Sequence, residues 1–566
     1  MTNQSTPVKA HRIKHLLSIP YCGAEKLKSI FAANLVPSNK PVSETYSLGT
    51  CRLSAAHFEC DNEQDMKDYG IMLGLPEIRL QLAYRDYQKS NQPDLSFREF
   101  YHKENQQNVY ANLLAPLDIE QLGFVGLLEK MIPSMFLAED WTGLKANRQN
   151  YDVLLGQNKV APLSPEDRDE IRRLNSDDYD IYQKVETRQA AQWQALLARK
   201  KIHLENGKKV IIHVGPPKTG TSAIQYWLAK NHKALLNQGV FYPGHQLDDN
   251  KISSGNFQRL IHHDAANKQS YLDEARAREL VDEFTQSKAH TLLLSSEHFF
   301  YHMPALFMYF PMATFVFYVR HPFSTLESSY HQQVKRHGRT SAFNLPKTAK
   351  FQQLEIIGRL AKTFSVNVCF RYYDEQLFNG GTLVNDFRDV ISVDADLVDE
   401  RKRVNSKYAL DALGFMRWCN GFASADVLAE LDRWLQAYSE DKEPRSLITP
   451  EQRVALTSVM RAHAQKMHQL LPGLNIESLY QMLENYTNNS ASYDASVGCD
   501  FTGLVKALKK QNILLAKRIY CQAQDNKESM PSSAAQQFTF STGDEMRCTV
   551  QSYICKLQYQ IKRLFS

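Results

Sequence analysis

Four short runs of apolar, largely β-branched or aromatic residues stand out along the chain, at 210–214, 291–295, 313–319 and 366–373. Runs of this length without polar alternation predict strands buried on both faces, as in a parallel sheet. Between them the spacing changes. Residues 221–230 place Ala223, Ile224, Trp227 and Leu228 on one helix face, and Leu383, Phe387 and Val390 do the same further on. Residues 250–290 are charged with a helical period, and 239–244 read as a short strand-like connector. Strands alternating with helices predict an α/β fold.

The flanks read differently. Residues 1–10 are polar and loose, and 11–35 repeat the strand–loop–helix layout of 208–230. Residues 80–85, LQLAYR, read as a further strand, and 184–207 as a charged helix stopped at Asn206-Gly207. From 408 to 486 the pattern is helical. Residues 488–499 form a polar linker, 502–522 a basic amphipathic helix, 524–547 a polar flexible stretch and 550–565 a second amphipathic helix. These last helices are open to three uses: packing on the body, self-association or peripheral contact with a membrane.

Composition narrows the class. The 566 residues, 43% of them hydrophobic, suffice for roughly two to four domains with sizeable cores. A net charge of +5 is slight for this size and gives no argument for nucleic-acid binding. Nine cysteines without a CxxC pair predict reduced thiols rather than a disulfide framework. The first twenty residues lack the apolar core of a signal peptide, and no segment reaches membrane-spanning length, so a soluble cytoplasmic protein is expected. His262, His263 and Asp264 suggest a metal site, but adjacent residues do not share a helix face; a solvated face or substrate-side loop is expected.

The candidate chemistry concentrates at 215–222. Gly215, Pro216, Pro217, Lys218, Thr219 and Gly220 form a tight loop between a strand and the helix that begins with Thr221 and Ser222. Free N–H groups and the positive end of a helix dipole meet there, which suits an anion. A Walker A loop puts lysine directly after its second glycine and then a hydroxyl for Mg²⁺. Here the glycine frame is kept, but Thr221 follows Gly220 and the lysine sits inside the loop, at Lys218. About a hundred residues later Arg320 ends the 313–319 strand, and a helix start carries Ser324, Ser328 and Tyr330. An arginine fork with a helix-borne hydroxyl suits a second phosphate.

In combination these two elements resemble the bacterial sulfotransferases that use PAPS (3′-phosphoadenylyl sulfate), most clearly over 208–410. The resemblance implies a P-loop-like three-layer α/β/α fold with a central parallel sheet. It implies that Lys218, Thr219, Gly220, Thr221 and Ser222 bind the 5′-phosphosulfate without a metal, and that Arg320 and Ser328, eight residues apart, share the 3′-phosphate. Tyr373, before Asp374, matches a strand-end tyrosine that contacts adenine, and Arg403, with Asn405 and Ser406, a loop that closes over the cofactor. Heparan-type members place a catalytic glutamate at a strand end before aromatic residues, as Glu297 stands before Phe299, Phe300 and Tyr301. Small-molecule members use a histidine, which makes His298 the rival; Glu297 is favoured. The implied acceptor is a carbohydrate hydroxyl.

The N-terminal layout aligns with the loop when Pro20 is set against Pro217. Tyr21 then replaces Lys218, Cys22 Thr219, Ala24 Thr221 and Glu25 Ser222, while Gly23 keeps Gly220. Every anion-binding side chain is gone, and a carboxylate at Glu25 would repel phosphate. With the strand at 80–85 lacking a serine eight residues on (Pro93 stands there), and with 123–132, 141–150 and 163–183 resembling the end of a carbohydrate sulfotransferase domain, a degenerate tandem copy is expected. The expected partition is a flexible 1–10, a degenerate sulfotransferase-like domain at 11–190, a linker helix at 191–207, the PAPS-dependent domain at 208–487, and a linker with helical tail at 488–566. Two other classes stay open: a P-loop kinase using ATP and Mg²⁺, and a non-catalytic nucleotide- or saccharide-binding protein.

Overall fold

A computed structural model describes residues 14–19, 21–22, 24–31, 48–52, 66–90, 95–115, 117–146, 160–245, 254–265, 269–346, 350–394, 408–439, 445–488, 501–524 and 538–552. The four apolar runs form strands within a residue or two of the expected bounds: β5 (Lys209–His213), β9 (Thr291–Ser295), β10 (Thr314–Val319) and β11 (Asn367–Tyr372). With the short β6 (Val240–Phe241) they make one sheet of order β11-β10-β5-β9-β6, every pair parallel.

Successive side chains of a strand point to opposite faces, and both faces of this sheet are covered. Val210, Ile212, Leu292, Leu294, Phe315 and Phe317 face a core that includes Leu280 and Phe284 of α6 (Glu274–Gln286), Ile357 of α8 (Gln352–Ala361), Met460 of α12 (Pro450–Leu470) and Met482 of α13 (Ile476–Asn488). On the other face Leu293, Val316 and Tyr318 pack with Ile224, Trp227 and Leu228 of α5 (Thr221–Asn237) and with Phe387 of α9 (Leu383–Ile391). The result is three layers, helix–sheet–helix. α12 opens with a capping box, in which the Thr449 hydroxyl accepts from Gln452 N–H and the Gln452 side chain accepts from Thr449 N–H. Thr449→Ala is expected to cost about 1 kcal/mol, read as a lowered denaturant midpoint with unchanged slope.

A second parallel sheet lies N-terminally: β1 (Lys14–Ser18), β2 (Leu48–Arg52), β3 (Tyr69–Leu73) and β4 (Phe124–Leu127), in the order β2-β1-β3-β4. Here the strand that follows the loop and α1 (Ala24–Phe31) pairs directly with β1. Its counterpart β6 instead pairs with β9, one strand removed from β5. Among the described residues this order differs from that of the C-terminal sheet. Residues 80–85, expected as a strand, lie inside α2 (Pro76–Lys89), where Pro76 opens the helix and Arg79, Leu80, Leu82 and Ala83 are buried.

The expected linker helix at 191–207 is the C-terminal part of a longer one, α4 (Ser176–Lys200). Its buried residues Tyr182, Val185, Gln189, Trp193 and Leu196 recur at helix spacing, and it is packed along its length. The Trp193 ring lies 5.9 Å from that of Phe136, in α3 (Met131–Thr142), and 5.7 Å from that of Phe364. It is a shared core element rather than a spacer.

Three further expectations are corrected. The segment 250–290 is not helical throughout. It holds an antiparallel pair, β7 (Ile261–Asp264) with β8 (Gln269–Leu272), before α6 begins. The stretch 502–522 is two helices, α14 (Thr502–Gln511) and α15 (Ile513–Gln524), divided where the Asn512 side chain accepts from Leu515 N–H. Leu504, Leu508, Leu515 and Ile519 are buried with Phe415 of α10 (Leu410–Cys419) and Leu431 of α11 (Ala425–Ser439), so the apolar face is spent within the fold. Within 524–547, Phe538 joins that core, and Lys509 pairs with Asp544 at 3.1 Å. Among the described residues no helix is long and apolar enough to cross a membrane.

Candidate functional site

The site lies at the carboxyl edge of the larger sheet, where open parallel sheets take ligands. The chain leaving β5 is tied to its neighbours: Val214 N–H donates to Val316 O at 3.1 Å, and Tyr318 N–H to Gly215 O at 3.3 Å. Gly215 has φ +88°, and a Cβ there would lie 3.1 Å from Glu297 Cα, so the loop runs hard against the end of β9. Gly220, at φ +78°, ends the loop and caps α5 without a side-chain hydrogen bond. A Cβ on Gly220 would overlap Leu383 Cδ2 and sit 2.7 Å from Tyr373 Cε2. Glycine is required at that position for both reasons.

Lys218 adopts φ +74°, a conformation that non-glycine residues seldom take and that clusters at functional sites. The Thr219 hydroxyl is buried and donates to Pro216 O at 2.6 Å, so it holds the loop rather than facing a ligand. By contrast, the backbone N–H groups of Lys218, Thr219, Gly220, Thr221 and Ser222 meet no acceptor among the described residues. Buried or converging backbone donors are rarely left unmatched. A run of five at a helix entrance suits an anion.

Arg320 closes the second side. Its Nη1 donates to Lys218 O, its Nε and Nη2 reach Ser324 Oγ at 3.1 and 2.9 Å, and its guanidinium lies 4.7 Å from the Tyr373 ring centre. Arg320 bonds Ser324, in the first turn of α7 (Pro322–Arg336), and Ser328, expected to share the 3′-phosphate with Arg320, lies one helical turn further along the same helix. Thr221 Oγ1 donates to Glu297 Oε2 at 3.2 Å, which brings the proposed base to the loop. The His298 backbone N–H donates to Ser296 Oγ at 3.1 Å, and its ring centre lies 4.9 Å from that of Phe257. Arg403 lies outside the described residues.

The electrostatics favour an anion. Burial pulls the Lys218 ammonium below its ordinary pKa; Glu297 opposes that shift and Arg320 adds to it. Burial likewise lowers Arg320. His321, beside it, is brought down to about 3 by burial and by the Arg320 charge, so its imidazole is neutral. Cations held together in a desolvated place suit an anion. The N-terminal loop is different. Tyr21, aligned with Lys218, also has a positive φ, +64°, but Cys22 Sγ lies 3.3 Å from the Tyr110 hydroxyl, which donates to Gly74 O.

His262 and His263 lie on β7, on opposite faces, with His263 Nδ1 3.0 Å from Ser270 Oγ and the His262 ring 5.3 Å from that of Tyr271. A cavity of about 410 Å³ lies at Arg320, Pro322, Thr325, Leu326 and the start of α8. Arg320 belongs to both this cavity and the loop, since it also bonds Lys218 O and Ser324. The sequence reading named Ser324 on the helix start and Leu383 on a helix face, but gave neither a place at the site; Ser324 bonds Arg320 and Leu383 backs Gly220. Compared with known proteins, the chain matches no family model, no curated protein and no solved structure.

Proposed function

We propose that the chain is a PAPS-dependent sulfotransferase that passes a sulfuryl group to a hydroxyl of a carbohydrate acceptor and releases adenosine 3′,5′-bisphosphate. The observation that carries the reading is the cradle of five uncommitted N–H groups joined to Lys218 on one side and Arg320 on the other. These residues suit two separate anionic groups, as a 5′-phosphosulfate and a 3′-phosphate require, and they do so with donors and cations alone.

PAPS, when bound, supplies the sulfuryl group. The cradle N–H groups and Ser222 hold the 5′-phosphate, and the Lys218 ammonium neutralises charge on the bridging oxygen as the S–O bond breaks. Arg320, with Ser324 and Ser328 on the adjacent helix face, holds the 3′-phosphate. Tyr373 stacks under Arg320 and seals Gly220. Glu297 takes the acceptor proton as the hydroxyl oxygen bonds to sulfur. Its Oε2 accepts from Thr221, which orients the carboxylate and leaves Oε1 for the acceptor.

Calorimetric titration of the full chain tests the reading, with adenosine 3′,5′-bisphosphate in EDTA set against ATP with Mg²⁺. Tight metal-independent bisphosphate binding is expected. Binding of ATP·Mg²⁺ with no response to bisphosphate would replace this reading with the kinase one, and no response to either would leave a protein that binds some other anion.

A further inference from the structure

The phosphate reading leaves the cavity beside Arg320 without a ligand. At about 410 Å³ it falls in the roughly 300–1,000 Å³ range of small-molecule sites. Its floor is apolar: Phe317 and Val319 of β10, with Phe351 and Leu354 at the start of α8, are buried. Its rim is polar. Lys350 and Gln352 are exposed, and Gln353 and Glu355 are half-buried. The side chains of Lys350, Gln352 and Gln353 meet no hydrogen-bond or ion-pair partner among the described residues.

The rim is also held in place. His463 of α12 accepts from Phe351 N–H through Nδ1 at 3.2 Å, so its proton sits on Nε2, which donates to Glu355 Oε1 at 3.0 Å. One imidazole thus ties both ends of the first turn of α8. Glu355 Oε2 stays open to a further donor. Two cations in the lining, Arg320 and Lys350, stand against this one carboxylate and leave the cavity net positive.

These groups choose among ligands. An apolar floor suits the C–H face of a ring, while two free amides and a carboxylate oxygen suit neighbouring hydroxyls. An aliphatic or aromatic acid would cover the floor but leave Gln353 and Glu355 unmatched, which costs affinity. A neutral sugar would leave the Lys350 ammonium unused. Resting on the sulfotransferase reading, we infer that the cavity is a subsite for an acidic sugar unit of the acceptor, with its carboxylate on Lys350 and its hydroxyls on Gln352, Gln353 and Glu355. The place suits an acceptor. The Phe317 ring in the floor lies 6.3 Å from that of Phe300, three residues after Glu297, and Arg320 joins the cavity to the phosphate loop.

Methyl β-D-glucuronide and methyl β-D-glucoside test the assignment, since they differ only by a carboxylate in place of a hydroxymethyl group. Each is titrated into the full chain by ligand-observed NMR, with and without adenosine 3′,5′-bisphosphate. The glucuronide is expected to bind about fivefold tighter, the upper worth of a charge contact at an exposed rim. Lys350→Met is expected to bring the two glycosides within about twofold of each other. Gln353→Ala is expected to weaken both alike. Equal affinities in the wild type, or no glucuronide binding, would overturn the inference. So would displacement of the glucuronide by bisphosphate, because the acceptor and the cofactor must be held together and a competing sugar acid is merely sitting in the phosphate loop. Bisphosphate binding without glucuronide binding would leave the sulfotransferase reading standing and remove this subsite. Glucuronide binding without bisphosphate binding would do the reverse. Thermal midpoints of the variants show whether any loss reflects unfolding.

Discussion

Replacing Arg320 with alanine is expected to weaken binding of adenosine 3′,5′-bisphosphate by about 100-fold or more, because two charge-assisted hydrogen bonds to a phosphate are each worth about 1.5–3 kcal/mol. The same change is expected to leave the thermal midpoint unchanged or slightly raised. Among the described residues Arg320 makes no ion pair; it is held by a carbonyl, a serine hydroxyl and a ring face. Its charge is desolvated in the free protein, and burial already pulls its pKa down. Losing such a group relieves a cost that only the ligand repays. Arg320→Lys is expected to recover little, since an ammonium cannot reach Lys218 O and Ser324 together while presenting a planar fork. Titration of both variants, each checked by thermal unfolding, decides the matter. An affinity within threefold of wild type would remove Arg320 from the site. A large loss accompanied by a lower midpoint would assign it to the fold instead.

Hydrophobic runs made the larger sheet legible. Strands buried on both faces read as unbroken apolar segments, and β9 and β10 were bounded almost to the residue. The strand–loop–helix passage was legible too, because glycines close both ends of the loop, and at Gly220 the close approach of Leu383 and Tyr373 leaves no room for a Cβ. Tyr21 and Lys218 share a positive φ although their chemistry differs. Side-chain partnership was not legible: the resemblance gives Arg320 and Ser328 a shared phosphate, and the structure adds that the long arginine side chain meets the first-turn serine, Ser324. In LQLAYR the alternation of Leu80 and Leu82 imitates a strand, but Pro76 at a helix start and the burial of Arg79, Leu80 and Ala83 on neighbouring turns give a helix. The N-terminal sheet order is set by which strand pairs with β1, a long-range choice that local pattern does not encode. Likewise Trp193 reads as part of a charged linker until Phe136 and Phe364 are found on either side of it.

Asp386→Ala is expected to cost about 3–5 kcal/mol of stability, the usual result of removing one partner from a buried charge network. Asp386 is 1% exposed and gathers three elements at the edge of the site. It accepts from the Tyr318 hydroxyl of β10 at 2.7 Å, from Arg371 of β11 through both Nε and Nη2, and from Asn379 N–H at 2.9 Å. Its own helix, α9, is the one that carries Leu383 against Gly220. Alanine would leave the Tyr318 phenol and a half-buried guanidinium without their acceptor, and water could reach only the outer side of Arg371. The neighbouring Asp389, 3.5 Å from Arg371, is exposed and screened and cannot substitute. Asp386→Asn keeps one acceptor and is expected to cost roughly half as much. For contrast, Glu484→Ala, which removes an exposed pair with Arg461, is expected to cost no more than about 1 kcal/mol. Denaturant unfolding of the three variants would read these differences directly. A cost below about 1 kcal/mol for Asp386→Ala would mean that the network is not closed in solution. In the destabilised variant, bisphosphate affinity should fall as well, because α9 then no longer presses Leu383 onto the glycine that ends the anion cradle.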